Sequence, residues 1–269
     1  MSTVSMSTVS TSAVDHLPPV SLADLNAEAE LLTRVDRKYV VPAGDLDALV
    51  TGVPGLRALS IDGRRSSHYE STYLDTVGLD SWTASAHRRR RRWKVRTRVY
   101  ADTGECWLEV KTRGRRGATV KERMLHPGSN PLEVPASADG WVRDRLREAD
   151  VHGVDPQSLV PTLRTTYRRT TLLVGAGAGR ATIDRELRWV SGHGSAEVGD
   201  VLVVETKSAS AGPGPLDRRL WELGHRPVRI SKYGTGLALL TPDLQLNRWH
   251  RVTSRHLATH LTLDTGVLA

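Results

Sequence analysis

Lys94, Arg96 and Arg98 alternate along Lys94-Val-Arg-Thr-Arg-Val-Tyr100. Successive side chains of a β-strand point to opposite faces, so on a strand these three cations share one face. Crowded like charges repel and are costly to desolvate, so folding alone gives no reason to line them up. An anion on that face gives one. The pattern recurs in Glu109, Lys111 and Arg113, in Lys121 and Arg123, in Tyr167 and Arg169, in Glu205 and Lys207, and in Arg34, Asp36 and Lys38. Lysine and arginine suit phosphate oxygens, arginine through a bidentate fork. Within Glu109-Val-Lys111 and Glu205-Thr-Lys207 an acid and a base share a strand face, and either pair alone is equally explained as a solvated ion pair. The run Val201-Leu-Val-Val204 ahead of Glu205 reads as a strand buried on both faces. That places Glu205 and Lys207 in a protein-lined cavity, where a carboxylate suits a hard divalent cation.

The elements that must hold these residues follow from local patterns. Strands are expected at Arg34–Val41, Tyr69–Leu74, Arg92–Tyr100, Glu105–Thr112, Ala118–Leu125, Thr162–Val174, Arg180–Trp189 and Val201–Lys207. Turns at Asp102-Thr-Gly104 and Arg113-Gly-Arg-Arg-Gly117 make antiparallel hairpins of the third, fourth and fifth. Helices are expected at Leu22–Leu32 with Ser21 as cap, from Pro42 to about Val50, over Leu79–His87, within Pro135–Asp150, and over Pro215–Leu223 and Tyr233–Leu240. Val228–Ser231 reads as a short extended segment. Many strands with inward cations and helices between some of them imply an α+β fold, a closed antiparallel β-barrel with a positive lumen and flanking helices. Residues 1–20, rich in serine and threonine, are expected to be a disordered tail, 21–245 the barrel domain and 246–269 a C-terminal tail.

Composition narrows the partners. The chain has 269 residues, 39% hydrophobic, with a formal net charge of +8. That charge permits nucleic acid, a membrane surface or small polyanions without choosing among them. There is no Phe, and seven Trp carry much of the aromatic packing. A single Cys106 excludes an internal disulfide framework and a multi-cysteine zinc site; it reads as an inert, buried or half-buried thiol. No apolar run reaches the roughly 18 residues needed to span a bilayer. The first 19 residues lack the charged and apolar regions of a signal peptide. A cytoplasmic protein without a transmembrane segment is expected.

Three further features read as ordinary structure. The Arg88–Arg92 run resembles a nucleic-acid or heparin patch, but its plain reading is a solvated helix-to-strand junction with one arginine turned inward. The Gly175-Ala-Gly-Ala-Gly179 turn lacks the Gly-Lys-Ser/Thr ending of a phosphate loop and reads as a hairpin turn. His256 and His260 sit at i, i+4 with no third ligand nearby in sequence.

Taken in order, the motifs resemble the VTC domain, the polyphosphate-polymerase branch of the triphosphate tunnel metalloenzymes, a superfamily that includes the CYTH-like adenylate cyclases and triphosphatases. The resemblance runs from about Arg34 to Leu240. It rests on Asp36-Arg-Lys38-Tyr39-Val-Val-Pro42, Tyr73-Leu-Asp75-Thr76, Lys94-Val-Arg-Thr-Arg-Val-Tyr100, Glu109-Val-Lys111 and Lys121-Glu-Arg123. It continues through Thr165-Thr-Tyr167-Arg-Arg169, Arg180-Ala-Thr-Ile-Asp184, Val204-Glu205-Thr-Lys207 and Ser231-Lys232-Tyr233. The resemblance implies a tunnel-shaped barrel whose cations cradle a triphosphate or a polyphosphate chain. By match, Lys38, Arg96, Arg98, Lys111, Lys121, Arg169 and Arg180 are phosphate ligands, and Tyr167 donates a hydrogen bond to phosphate. Glu205 holds a divalent metal, manganese or magnesium, and Ser231 and Lys232 lie on the far side of the tunnel.

Two departures qualify the match. The acidic-x-acidic-x-Lys signature of CYTH proteins reads Arg34-Val-Asp36-Arg-Lys38 here, which argues against a CYTH hydrolase or cyclase. Arg229 stands where the polymerases often carry lysine. The phosphate-sensing SPX domain and membrane helices that accompany eukaryotic VTC domains are not in the sequence, which leaves a membrane protein as a possible partner. The expected function is polyphosphate polymerase: a metal-dependent transferase using ATP, with Arg96, Arg98, Lys111, Arg169 and Lys232 at the reaction and Lys38, Lys121, Tyr167, Arg180, Arg229 and Ser231 binding phosphate. The alternatives are an inorganic or organic triphosphatase and a non-catalytic polyphosphate-binding module. A specific nucleic-acid partner is not expected, because no groove-entering motif is present.

Overall fold

A computed structural model describes residues 13–29, 35–114, 119–175, 179–208 and 212–264. In chain order these form β1 (Pro19–Val20), α1 (Leu22–Ala29), β2 (Val35–Pro42), α2 (Leu46–Thr51), β3 (Arg57–Leu59), β4 (Ser67–Asp75), α3 (Asp80–Ala86), β5 (Trp93–Tyr100), β6 (Cys106–Arg113) and β7 (Thr119–Leu125). They continue with α4 (Asp139–Glu148), β8 (Val160–Val174), β9 (Gly179–Ser191), β10 (Gly194–Val198), β11 (Val201–Ser208), α5 (Pro215–Glu222), α6 (Lys232–Leu240), α7 (His250–Val252) and β12 (Leu261–Asp264). The end of the first expected helix, Arg34, and the centres of the turns at 113–117 and 175–179 lie outside the described residues.

The residues group into two compact units, Met1–Ser66 with Thr170–Ile183 and Leu202–Pro227, and Ser67–Arg169 with Asp184–Val201 and Val228–Ala269. In the first, β11 pairs with β2 and β9, while β3 pairs with β8 and, in parallel, with β1. Its core joins Tyr39 and Val41 of β2, Leu49 and Val50 of α2, Ala181 and Ile183 of β9, Leu202 and Val204 of β11, and Leu216 and Leu220 of α5. A buried Asp217 fastens α5 to these strands. Its carboxylate accepts from the Tyr39 hydroxyl at 2.7 Å and the Thr206 hydroxyl at 2.6 Å, and pairs with Arg37 at 3.3 Å. Burial and the Asp217 charge push the Tyr39 hydroxyl far above the usual tyrosine range.

The second unit follows the strand order β12-β10-β9-β8-β4-β5-β6-β7. Strands β4 through β7 form an antiparallel meander. Alternation sorts its faces: Trp93 and Val95 of β5 and Leu108 and Val110 of β6 meet Val142 and Leu146 of α4 in one core, while the cations of the same strands lie on the other face. Helix α6 carries Gly234 and Gly236 despite the weak helix propensity of glycine. A Cβ on Gly236 would lie 2.0 Å from the indole of Trp189, so the bare backbone is what lets that ring lie against the helix.

The α+β assignment, with antiparallel strands and flanking helices, holds. The strand pairings do not close a barrel: among the described residues β7 has β6 as its one neighbour and β2 has β11 as its one neighbour. Exposed Thr119, Lys121 and Arg123 mark β7 as an edge strand protected by charge. The tail expected over residues 1–20 also differs. Residues 1–12 lie outside the described residues, but Ala13–His16 form a 3-10 turn with Val14 in the core, and Val20 pairs with Leu59. Within 246–269, β12 pairs with β10.

Candidate functional site

Cross-strand register assembles the cations of the second unit. Lys94 of β5 lies opposite Lys111 of β6, which lies opposite Lys121 of β7; Arg96 lies opposite Glu109, and Glu109 opposite Arg123. Like charges directly opposite one another destabilise a sheet unless something offsets them. One step along, Glu109 does so. It is 1% exposed, its carboxylate takes the Arg96 guanidinium at 2.5 Å and the Lys121 ammonium at 2.6 Å, and Arg98 stands at 3.9 Å. Burial alone would raise the Glu109 carboxyl, but the three cations overcome it and hold the group far below the usual carboxylate range. Lys121 is pushed below the usual lysine range by burial against the charges of Arg96 and Arg98, although a third of its side chain still meets water.

A second acid-centred cluster sits beside it. Arg169 of β8 grips buried Asp184 of β9 bidentately at 2.6 and 2.7 Å, and the Lys232 ammonium contacts the same carboxylate. Arg169 and Lys232 hold the Asp184 carboxyl at about 2, against the upward push of burial. Between the two clusters lies Tyr167, 1% exposed. Its ring stacks on Tyr69 with centroids 5.5 Å apart, Lys232 lies 4.4 Å and Arg169 5.2 Å from its centre, and burial pushes the Tyr69 hydroxyl up to about 12. The Tyr167 hydroxyl is buried and makes no hydrogen bond. Burial pushes that hydroxyl up, but the charges of Arg98, Arg169 and Lys232 outweigh it and hold it below the usual tyrosine range. A buried polar group without a partner costs on the order of 1–3 kcal/mol. Here it points to a missing acceptor among cations.

Helix α6 is fixed from three sides. Ser231 is its N-cap: the hydroxyl oxygen accepts from the Gly234 N–H at 3.0 Å and from the Lys94 ammonium at 2.9 Å. The Trp189 indole N–H donates to the Lys232 carbonyl at 2.7 Å. The Tyr233 hydroxyl donates to buried Asp75 at 2.5 Å, and Asp75 also accepts the Ser81 and Trp82 N–H groups of α3 at 2.9 Å each. Lys232 is therefore positioned by β4, α3 and β9 together.

The VTC domain model matches residues 33–241, which is most of the chain. This chain belongs to the VTC domain family. No curated protein matches the VTC chain. Solved structures similar to it include an adenylyl cyclase candidate from Hippeastrum with a dominant triphosphatase activity (15% identity, 79% of this chain and 99% of that one, TM-score 0.42). Two others are an adenylate cyclase candidate from Vibrio parahaemolyticus (14%, 71% and 83%, TM-score 0.37) and a conserved protein from Pyrococcus furiosus (13%, 71% and 88%, TM-score 0.39). At these TM-scores the likenesses add no argument to the family match.

Of the residues expected at the site, Arg96, Arg98, Lys121, Tyr167, Arg169 and Lys232 come together in the second unit of the VTC chain. Ser231 is there as a helix cap. Lys111 is at the exposed end of β6, and Arg229 is exposed ahead of α6. Lys38, Arg180 and Glu205 belong to the first unit. There the Glu205 carboxylate faces Lys207 at 3.2 Å and Lys38 at 3.9 Å. Among the described residues no three His, Cys, Asp or Glu converge on a metal position. Glu205 is thus a carboxylate between two ammonium groups. That set does not fit a metal held by protein alone; it fits a magnesium-like ion that keeps waters and arrives on phosphate oxygens. Asp75, Asp184, Tyr69 and Tyr233 carry the site without having been assigned roles. The signal for Asp184 was present: one acid in a strand, flanked by Ile183 and two residues beyond Thr182, can stay buried only beside a cation. No helix among the described residues is long and apolar enough to cross a membrane.

Proposed function

We propose that this VTC-domain chain is a polyphosphate polymerase, transferring the γ-phosphoryl of ATP to the terminal phosphate of a growing chain. The observation that carries the reading is the buried, unpartnered Tyr167 hydroxyl, set among Arg98, Arg169 and Lys232. A phosphate oxygen satisfies it and meets the surplus of cations over acids around Glu109 and Asp184 at once. In this reading Arg96, Arg98, Arg169 and Lys232 bind and orient the phosphates and offset the charge that develops as the γ-phosphoryl leaves ADP. Lys111 and Lys121 extend the grip along β6 and β7, Ser231 sets the start of α6, and Arg229 lies just ahead of it. In the first unit, Lys38 and Arg180 are further phosphate ligands and Glu205 a carboxylate offered to a divalent ion, manganese or magnesium. Such an ion supplies charge neutralisation between phosphate oxygens. A cytoplasmic location and a membrane-protein partner belong to this reading as well.

Incubating the protein with ATP and manganese, then resolving the products on a polyacrylamide gel, tests it. A ladder of phosphate chains together with ADP is the expected outcome. Free phosphate without chains makes the protein a triphosphatase, and tight binding of inorganic tripolyphosphate without turnover makes it a binding module. Glu205→Gln is expected to abolish metal-dependent turnover and leave tripolyphosphate binding largely intact; unchanged turnover assigns Glu205 to its lysine pairs alone.

A further inference from the structure

The cation row does not end at Lys94. Arg92 directly precedes β5, and because Trp93 lies opposite Thr112, Arg92 and Arg113 flank the last pair of the β5–β6 ladder. Arg248 approaches from the C-terminal segment, beyond the residues that the family model matches. Its guanidinium donates to the Ser85 carbonyl at 3.1 Å, which ties it to the end of α3, the helix that the Arg88–Arg92 run follows. Burial and the charges of Arg92, Arg229 and Arg113 together hold Arg248 below the usual arginine range, and burial and Arg113 do the same to Arg92.

Four guanidinium groups are therefore neighbours, and among the described residues no carboxylate pairs with any of them. The acid at hand, Asp150, is already engaged by Arg91 and His152. The Nε of Arg248 is buried and makes no hydrogen bond. Burying a donor and crowding it with like charge costs stability twice, and an anion relieves both costs. A monovalent anion covers one guanidinium; four ask for a ligand with repeated charges. The aromatic rings beside them, Trp93 and Trp249, are 3% and 2% exposed, so a nucleic acid would find phosphate contacts but no ring on which to stack its bases.

We propose that Arg92, Arg113, Arg229 and Arg248 form a docking site for a condensed phosphate chain longer than three phosphates, at the end of the β5–β6 cation row. The proposal rests on that row being a phosphate site and not on the reaction carried out there. It predicts two separable affinities, a short-chain one set by Arg96, Arg98 and Arg169, and a long-chain increment set by the four arginines.

The test titrates inorganic tripolyphosphate, long-chain inorganic polyphosphate and an oligothymidylate of matched charge into the wild type, Arg113→Gln and Arg248→Gln. Each substitution is expected to weaken long-chain binding about tenfold, on the scale of one charge-assisted hydrogen bond, and to lower the salt slope of log affinity by about one. Tripolyphosphate affinity should stay within about twofold. Unchanged long-chain affinity, or an equal loss for both phosphates, overturns the docking site. An equal loss for oligothymidylate makes it a general polyanion patch and overturns the assignment to condensed phosphate. Should Arg248→Gln fail to fold, exposed Arg113 carries the test alone. A wild type that binds the long chain through these arginines but makes no chain from ATP leaves the docking site standing and removes the polymerase.

Discussion

Glu109 on β6 and Arg92 just ahead of β5 show opposite solutions to the same electrostatic problem. Around Glu109, three cations converge on one buried carboxylate, and around Asp184 two more converge on another. Around Arg92, four arginines gather with no acid among the described residues. The matched clusters are rigid before any ligand arrives, because each carboxylate fixes its cations in one geometry, as electrostatic catalysis requires. The unmatched cluster gains its anion only from solution. Positive charge on a protein can thus be positioned or merely available, and the count of cations does not distinguish the two.

The strongest way to break this comparison is to remove the acid that does the positioning. Glu109→Gln leaves Arg96, Arg98 and Lys121 crowded without their partner, and breaking a buried pair costs about 3–5 kcal/mol. Denaturant unfolding should show a loss of that order, partly restored by millimolar tripolyphosphate. A loss below about 1 kcal/mol would mean that solvent already screens these charges. Next in size, Arg96→Ala or Arg98→Ala should lower turnover on the order of 100-fold, while replacing Arg89 and Arg90 together should cost far less; the reverse ordering moves the chemistry to the arginine run.

Acid offers a third probe. Asp184 is held at about 2 in the folded chain against about 3.9 unfolded, and Glu109 is depressed too. A depressed folded value means stability that is present above the unfolded value and lost as pH falls through the folded one. Melting temperature should drop between about pH 4 and pH 2, and Asp184→Asn, though less stable at neutral pH, should show a shallower drop; an identical slope contradicts the pairing. A smaller effect is expected from Tyr167→Phe, which removes a hydroxyl that bonds nothing in the free chain. Stability should hold or rise slightly, while tripolyphosphate affinity measured by calorimetry falls about tenfold. Equal affinity would leave that hydroxyl without a ligand. The smallest is Ser231→Ala, about 1 kcal/mol of stability from the lost cap, read by thermal unfolding.

Much of the site was legible because it is written in alternation. β5, β6, β8 and β11 declare themselves by period-two patterns, and within each strand the alternating residues fall on one face by geometry alone. What stayed illegible is short or depends on partners. β3 has three residues and is a strand because β8 and β1 flank it; β10, Gly194-Ser-Ala-Glu-Val198, has little strand preference and is held by β9 and β12. The closed barrel was an extrapolation from inward cations, and side-chain alternation says which way residues face without saying which strands pair. The division between matched and unmatched cations was hidden for a related reason. Glu109 lies directly opposite Arg123, yet takes the ammonium of Lys121, and Arg248 reaches the cluster from a segment with no strand pattern at all. Cys106 is half-buried with its thiol pushed up by burial, as its sequence context implied.

Asp75 binds pieces of chain far apart in sequence through one carboxylate: the amides that open α3 and the hydroxyl of Tyr233 in the first turn of α6. Neither helix can open alone without stranding a buried charge, so the two should behave as a single cooperative unit. In amide hydrogen exchange, Trp82 and Leu237 would then share one opening free energy, and Tyr233→Phe would lower it for both at once. A helix that begins with Lys232 therefore carries a lock whose bolt lies on β4, and slow breathing of that lock would admit or release whatever the lysine holds.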